Sequence, residues 1–219
     1  ITEQEADIIE EQTEKVKISD LVKRLIEQVA FEARASELVD QKSGVSARLP
    51  IAAFENAVSA AERRAIINKE KDTQVWISDL TGIIPSVTGK VELVYEGEQE
   101  GPYQVAFNLL NKAIRTLFVQ YFPNPDGLKK RKTSQKEAAA PHNPYRPVIT
   151  WFDSGNALDI LFNVKDKDKI QLLYKVEGLY GLVKKTFPHA NEKENALLME
   201  LILHGLSSYS LISKKVLDG

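Results

Sequence analysis

The sequence predicts a mainly α-helical protein, and three observations carry that prediction. Apolar residues recur at helical spacing in the segments on either side of Gly44 and again after Pro102. Strand-like alternation is confined to short runs. Pro125, Pro141, Pro144 and Pro147 fall together in one aperiodic stretch, which leaves the periodic segments largely unbroken.

Composition sets ordinary bounds. The 219 residues suffice for one large domain or two small ones, each with its own core. Hydrophobic residues at 43% and charged residues at 27% place the chain among globular proteins. A formal net charge of -2 supplies no global field toward nucleic acid or membrane. The absence of cysteine removes disulfides, thiolate metal sites and cysteine nucleophiles together, and it favours a cytoplasmic location. No apolar run approaches the roughly 20 residues of a membrane span. The acidic start, Ile1-Thr2-Glu3-Gln4-Glu5, fits neither a signal nor a transit peptide. A first residue other than methionine is expected of a segment from a longer polypeptide.

Three regions are expected: a helical domain over residues 1–122, a linker over 123–147 and a C-terminal unit over 148–219. In the first, Thr2 and Glu5 have capping-box spacing, and a short polar helix to about Lys15 follows. Ser19 suits the N-cap of the next helix, whose Leu21, Val22, Leu25, Val29 and Ala33 share a face opposite Lys23, Arg24 and Glu27. Residues 39–46 break the period. A second amphipathic helix runs from Arg48 to Lys69 with Ile51, Phe54, Val58, Ala61 and Ala65 on one stripe, and Pro50 sits in its first turn. Ser78 reads as the cap of a helix that carries Leu80, Ile83 and Ile84 and is interrupted by Pro85. Residues 90–95 fit a strand and a broken helix equally well. Gly101-Pro102 opens a long helix to Phe122, with Phe107, Leu110, Ile114, Leu117, Phe118 and Tyr121 facing inward.

The linker holds the clustered prolines and the basic run Lys129-Lys130-Arg131-Lys132. It lacks the apolar periodicity that would offset its ordering entropy, so it is expected to be mobile. Beyond it, residues 148–152 and 157–162 are β-prone runs around Asp153-Ser154-Gly155-Asn156, which reads as a small β-hairpin. Two or three helices, over about 168–187 and 192–215, close the chain.

Few residues have the spacing that chemistry needs. His142, His189 and His204 are not brought together by any pattern, so each reads as a surface or locally bonded histidine. Gly82 and Gly89-Lys90 resemble a phosphate loop only in part. Six residues separate the glycines, Pro85 interrupts them, and Val91 stands where Mg²⁺ would need a hydroxyl. The basic run lacks interleaved aromatics for base stacking, so a solvated charge cluster is favoured over a nucleic-acid site. Trp151 and Phe152 read as core anchors of the hairpin. There remains Ser43-Gly44-Val45-Ser46-Ala47-Arg48, directly before the Ala-rich helix. An arginine in the first turn of a rigid helix can reach a phosphate on a neighbouring domain, though a structural salt bridge or a plain exposed arginine fits the spacing equally well.

Taken in order, the helix from Asp20 to Ser36, the turn Asp40-Gln41-Lys42-Ser43-Gly44-Val45-Ser46-Ala47-Arg48, the Ala-rich helix and Val75-Trp76-Ile77-Ser78-Asp79-Leu80 resemble one known arrangement. It is the helical lid of AAA+ ATPases of the magnesium-chelatase and MoxR-type group. The later Thr88-Gly89-Lys90-Val91-Glu92-Leu93-Val94-Tyr95-Glu96-Gly97-Glu98 looks like a bacterial chelatase-like subgroup in which further helices follow the lid. The resemblance covers about Val16 to Phe122; beyond Pro147 it rests mainly on residues 151–156. It departs from the pattern at Pro50, two residues after Arg48.

The resemblance implies an AAA+ lid-type helical bundle and a sensor-2 role for Arg48, which would contact the γ-phosphate of ATP. It also implies ATP and Mg²⁺ held by an upstream core domain and not by this segment, which would hydrolyse nothing alone. The implied partners are that core, the neighbouring subunits of a ring and an unknown client protein, with no membrane. The alternative is a helical interaction or scaffold domain with no nucleotide role.

Overall fold

Ser19 accepts a hydrogen bond from the Val22 N–H at 3.3 Å and starts a helix that buries Leu21, Val22, Leu25, Ile26, Val29 and Ala33. The computed structural model describes residues 2–126, 143–160 and 163–214, and it is mainly helical with one small parallel sheet. In chain order the elements are α1 (Thr2–Glu5), α2 (Glu10–Lys15), β1 (Val16–Lys17), α3 (Asp20–Arg34), α4 (Arg48–Asn68) and β2 (Thr73–Gln74). A 3₁₀ turn (Ser78–Ile83), α5 (Ile84–Thr88), α6 (Tyr95–Glu100), α7 (Pro102–Tyr121) and α8 (Arg146–Asp153) follow. The chain closes with α9 (Asp166–Tyr174), α10 (Leu179–Thr186) and α11 (Glu192–Ser208).

Two compact units result, Ile1–Ala113 with Ile160–Asp166, and Ile114–Asp159 with Lys167–Gly219. The division therefore falls inside α7 and just after the first residue of α9, and not at residues 122 and 148. In the first unit α3 and the 3₁₀ turn pack against α4. The core there is built from Leu25, Val29, Leu49, Phe54, Trp76 and Leu80, all buried. Burying each such side chain stabilises the fold by about 1.5–3 kcal/mol. β1 and β2 pair in parallel with Val16 opposite Thr73, and the Val75 N–H extends the ladder to the Lys17 carbonyl at 2.9 Å. Residues 91–94 lack a regular strand or helix; they make one antiparallel bridge, Val39 with Leu93, before α6 begins.

The second unit is organised around α11. Asn191 and Glu194 form its capping box, and Ala196 to Leu203 are buried around the whole circumference. A Cβ on Gly205 would lie 2.3 Å from the Phe118 ring, so only glycine lets the two approach this closely. Phe118 in turn packs against Phe122, Tyr145 and Tyr209, with ring centroids 5.7–6.0 Å apart.

Several expectations are corrected. The first arm of the expected hairpin is α8. Tyr145 and Val148 are buried and Trp151 and Phe152 half-buried, a spacing of three and four residues that places them on one helical face. Pro147 suits the first turn, and packing outweighs β-propensity. The second arm is irregular over 157–160, and residues 161–162 lie outside the described ones. Trp151 and Phe152 therefore meet edge to face on a helix, at 4.9 Å. Ser78 begins a 3₁₀ turn and does not cap a helix; Pro85 lies in the first turn of α5. The N-terminal polar segment divides into α1 and α2. Of the two or three helices expected to close the chain there are three among the described residues, the 168–187 stretch being divided into α9 and α10 at Lys175–Gly178.

Of the expected linker, residues 127–142 lie outside the described ones, with the basic run and His142 among them. Its ends are ordered: Asn143 Oδ1 accepts the Tyr145 N–H at 3.0 Å, and the Tyr145 hydroxyl donates to the Pro123 carbonyl.

Candidate functional site

The turn before Arg48 is built by Asp40. Its carboxylate accepts the Lys42 N–H at 2.8 Å and the Ser43 hydroxyl at 3.2 Å, and the Gly44 N–H returns to the Asp40 carbonyl at 3.1 Å. The Lys42 N–H is the largest cause that holds the Asp40 carboxyl below its ordinary range. Ser43 also meets Glu92, and the Asp40 N–H donates to the Glu92 carbonyl at 2.9 Å, which ties the turn to residues 91–94. Gly44 takes φ +70° at the corner. The Arg48 N–H then donates to Ser46 Oγ at 3.2 Å.

Arg48 itself is exposed at the first residue of α4, while Leu49, its neighbour, is fully buried. The side chain stands at the point where the helix leaves the turn and its apolar stripe enters the core. An exposed guanidinium on a 21-residue helix is rigidly mounted, and its planar fork of donors has the shape that suits a bidentate anion.

Near the other end of the same helix Arg64 is placed in the opposite way. It lies on the buried stripe with Ala57, Ala61 and Ala65 and is only 4% exposed. Its Nε and Nη2 donate to the two Asp79 oxygens at 3.0 and 3.1 Å. Nη1 donates to Asp166 Oδ1 at 2.7 Å, and Nη2 also reaches Thr73 Oγ1 and the Gln74 carbonyl at 2.9 Å each. Asp166 further accepts from the Thr73 hydroxyl at 2.9 Å and from the Trp76 indole at 2.7 Å. Burial works against the Arg64 charge, but the Asp79 hydrogen bonds and the charges of Asp79 and Asp166 outweigh it and hold its pKa above the ordinary value.

Glu70 completes the cluster. Its Oε1 accepts the Asp166 N–H at 2.9 Å, while Oε2 lies 3.8 Å from Arg64 Nη1 and is buried without a hydrogen-bond partner. Burial, with the Asp166 charge adding to it, pushes the Glu70 carboxyl up. This cluster is a structural clasp. Apart from Glu70 Oε2, its side-chain polar atoms bond to one another or to nearby backbone, and all its members lie in the first unit. The sequence carried a partial signal for it, because Arg64 falls on the apolar stripe of α4, where a charge requires partners. Asp79 stands nearby in sequence; Asp166 does not, and only folding identifies it.

The remaining candidates separate. Gly82 lies in the 3₁₀ turn, where a Cβ would come within 2.8 Å of Ala60 Cβ, so this glycine serves helix packing and leaves no room to cradle a phosphate. His189 is exposed. His204 lies on α11 beside Glu200, Lys169 and Lys214, a grouping that sequence spacing did not disclose. Among the described residues no group of three or more His, Cys, Asp or Glu is arranged to hold a metal ion, and no helix is long and apolar enough to cross a membrane. Compared with known protein families, curated proteins and solved structures, the chain finds no match.

Proposed function

We propose that this chain is the helical lid and following regulatory region of a chelatase-like AAA+ ATPase, and that Arg48 is its contact with bound ATP. The observation that carries this reading is the placement of Arg48, exposed at the start of a helix whose remaining length is anchored in a core. Among the described residues there is an exposed guanidinium and no phosphate cradle, so the nucleotide and its Mg²⁺ would be held by a core domain elsewhere in the polypeptide. What the chain supplies is a guanidinium that binds the γ-phosphate in the ATP state and loses that partner after hydrolysis. Such a differential contact is what a lid needs to respond to nucleotide state.

The test is Arg48→Ala in the polypeptide that joins this chain to its ATPase core, with ATP hydrolysis and thermal unfolding measured together. Turnover should fall roughly 10²–10³-fold, the cost of losing one charge-assisted contact at a reacting phosphate. Unfolding should be unchanged. Normal hydrolysis in the variant would discard the nucleotide role and leave a helical interaction domain. A large drop in melting temperature would make Arg48 structural.

A further inference from the structure

The second unit contains a group of titratable side chains that the nucleotide reading does not use. Glu200 is fully buried on α11, and Lys169 of α9 meets it at 2.8 Å. One helical turn later, His204 Nε2 lies 3.8 Å from Glu200 Oε1, within ion-pair range but too far for a hydrogen bond. Its other nitrogen, Nδ1, is 3.2 Å from Lys214 Nζ. An ammonium has three donors and no acceptor, so this contact is a hydrogen bond only when Nδ1 carries a lone pair. The contact thus selects the neutral imidazole with its hydrogen on Nε2, turned toward Glu200.

From this geometry we infer that His204 is the catch of a pH-sensitive latch: neutral, it holds the segment after α11 through Lys214, and on protonation it releases that segment. The inference is independent of any nucleotide role. The segment is anchored first by Tyr209, whose ring packs on Phe118 and lies under the Arg115 guanidinium at 4.1 Å. The Leu211 N–H then donates to the Leu206 carbonyl at 2.9 Å. Lys214 engages His204 beyond these anchors, so its release frees the outer part of the segment without dismantling the core.

Protonation places a hydrogen on Nδ1, and two donors with like charge then face one another at hydrogen-bonding distance. The charged groups facing the imidazole are Glu200 from its own helix, Lys169 from α9 and Lys214 from the segment itself. Burial is the main cause that pushes the His204 pKa below the ordinary histidine value. The two lysines add to it, and Glu200 opposes them. The latch is therefore closed at neutral pH and opens only below the ordinary histidine range.

The test follows the backbone order of residues 212–214 by nitrogen-15 NMR relaxation in the full chain, from about pH 7.5 down to about pH 4, together with NMR titration of the His204 ring. The order parameters should fall into the flexible range with the midpoint of the ring titration, while those of Leu201–Leu203 stay rigid. His204→Asn places an oxygen near Nδ1 that accepts from Lys214 at every pH, so the order of the segment should be high and flat. Should that substitution prevent folding, Lys214→Met at the exposed end of the contact remains informative. It should raise the His204 midpoint by removing a like charge and leave residues 212–214 mobile at all pH values. Order that does not change with pH, a midpoint that differs from the ring titration, or an unmoved His204 midpoint in Lys214→Met would each overturn the latch.

Discussion

The first unit buries its charge around one cation, Arg64, and the second around one anion, Glu200. Arg64 faces Asp79 and Asp166 at hydrogen-bond distance and Glu70 slightly farther away, so carboxylates are in excess. Glu200 faces Lys169 directly and His204 beside it, with Lys214 behind, so cations are in excess. Both clusters must offset the large cost of removing ions from water, and each holds one group poised to relieve its imbalance by gaining or withholding a proton.

The two imbalances give opposite pH responses. Glu70 has a raised pKa in the folded chain, so the folded state takes the proton more readily than the unfolded one. Its ionisation weakens the first unit as pH rises from the ordinary glutamate range through that raised value. For Glu200, burial alone would raise the carboxyl, but Lys169 and His204 outweigh it and the net direction is down. Its contribution is present above the ordinary glutamate range and is lost as pH falls. His204 acts in the same sense, because its lowered folded value lets the unfolded chain bind the proton first in mild acid. Acid weakens the second unit, whereas a rise in pH out of the ordinary glutamate range weakens the first. Trp76 reports on one and Trp151 on the other, and they are the two tryptophans of the chain.

The sharpest way to break the comparison is Arg64→Met, which leaves Asp79 and Asp166 buried without their cation. Denaturant unfolding followed by Trp76 fluorescence should show a loss of about 3–5 kcal/mol. Arg64→Lys should recover only part, since a single ammonium cannot reproduce the two-pronged Asp79 contact together with the bonds to Asp166 and Thr73. Lys169→Met is the counterpart in the second unit, with an expected loss of about 3 kcal/mol. The loss is smaller here because His204 can take up a proton opposite Glu200, which NMR would record as an upward shift of its titration.

Gly205→Ala tests the second unit without touching charge. The added methyl must displace the Phe118 ring, and melting should report a loss of about 2 kcal/mol. Glu70→Gln keeps an oxygen for the Asp166 N–H and removes the excess charge. The variant should be about 1 kcal/mol more stable than the parent chain near pH 8, converging with it as pH falls below the ordinary glutamate range. A difference that grows toward acid would reverse the assigned sign. Arg48→Ala should change stability least, by under about 0.5 kcal/mol, because the side chain is exposed beside a stripe that packs without it.

Local patterns proved legible where one helix carried the whole signal. Ser19 as a cap, the buried face of α3, the start of α4 at Arg48 and the run of α7 from Pro102 all follow from short-range spacing. The expected hairpin failed because Val148, Ile149 and Trp151 are β-prone, yet Tyr145, Val148 and Phe152 also fit a helical face. Residue type alone cannot choose between periods 2 and 3.6 over so short a stretch, and packing in the second unit decided it.

By itself the sequence determined the helical class, the cap of α3 and the turn that precedes Arg48. Each depends on residues a few positions apart, within reach of backbone geometry and local hydrogen bonds. Tertiary structure alone decided that Arg64 is buried against Asp166, that Lys169 reaches Glu200, and that the units divide within α7. Those pairings join residues distant in the chain. What selects them is the cost of leaving a buried charge unpartnered, and that cost exists only once folding has removed the water.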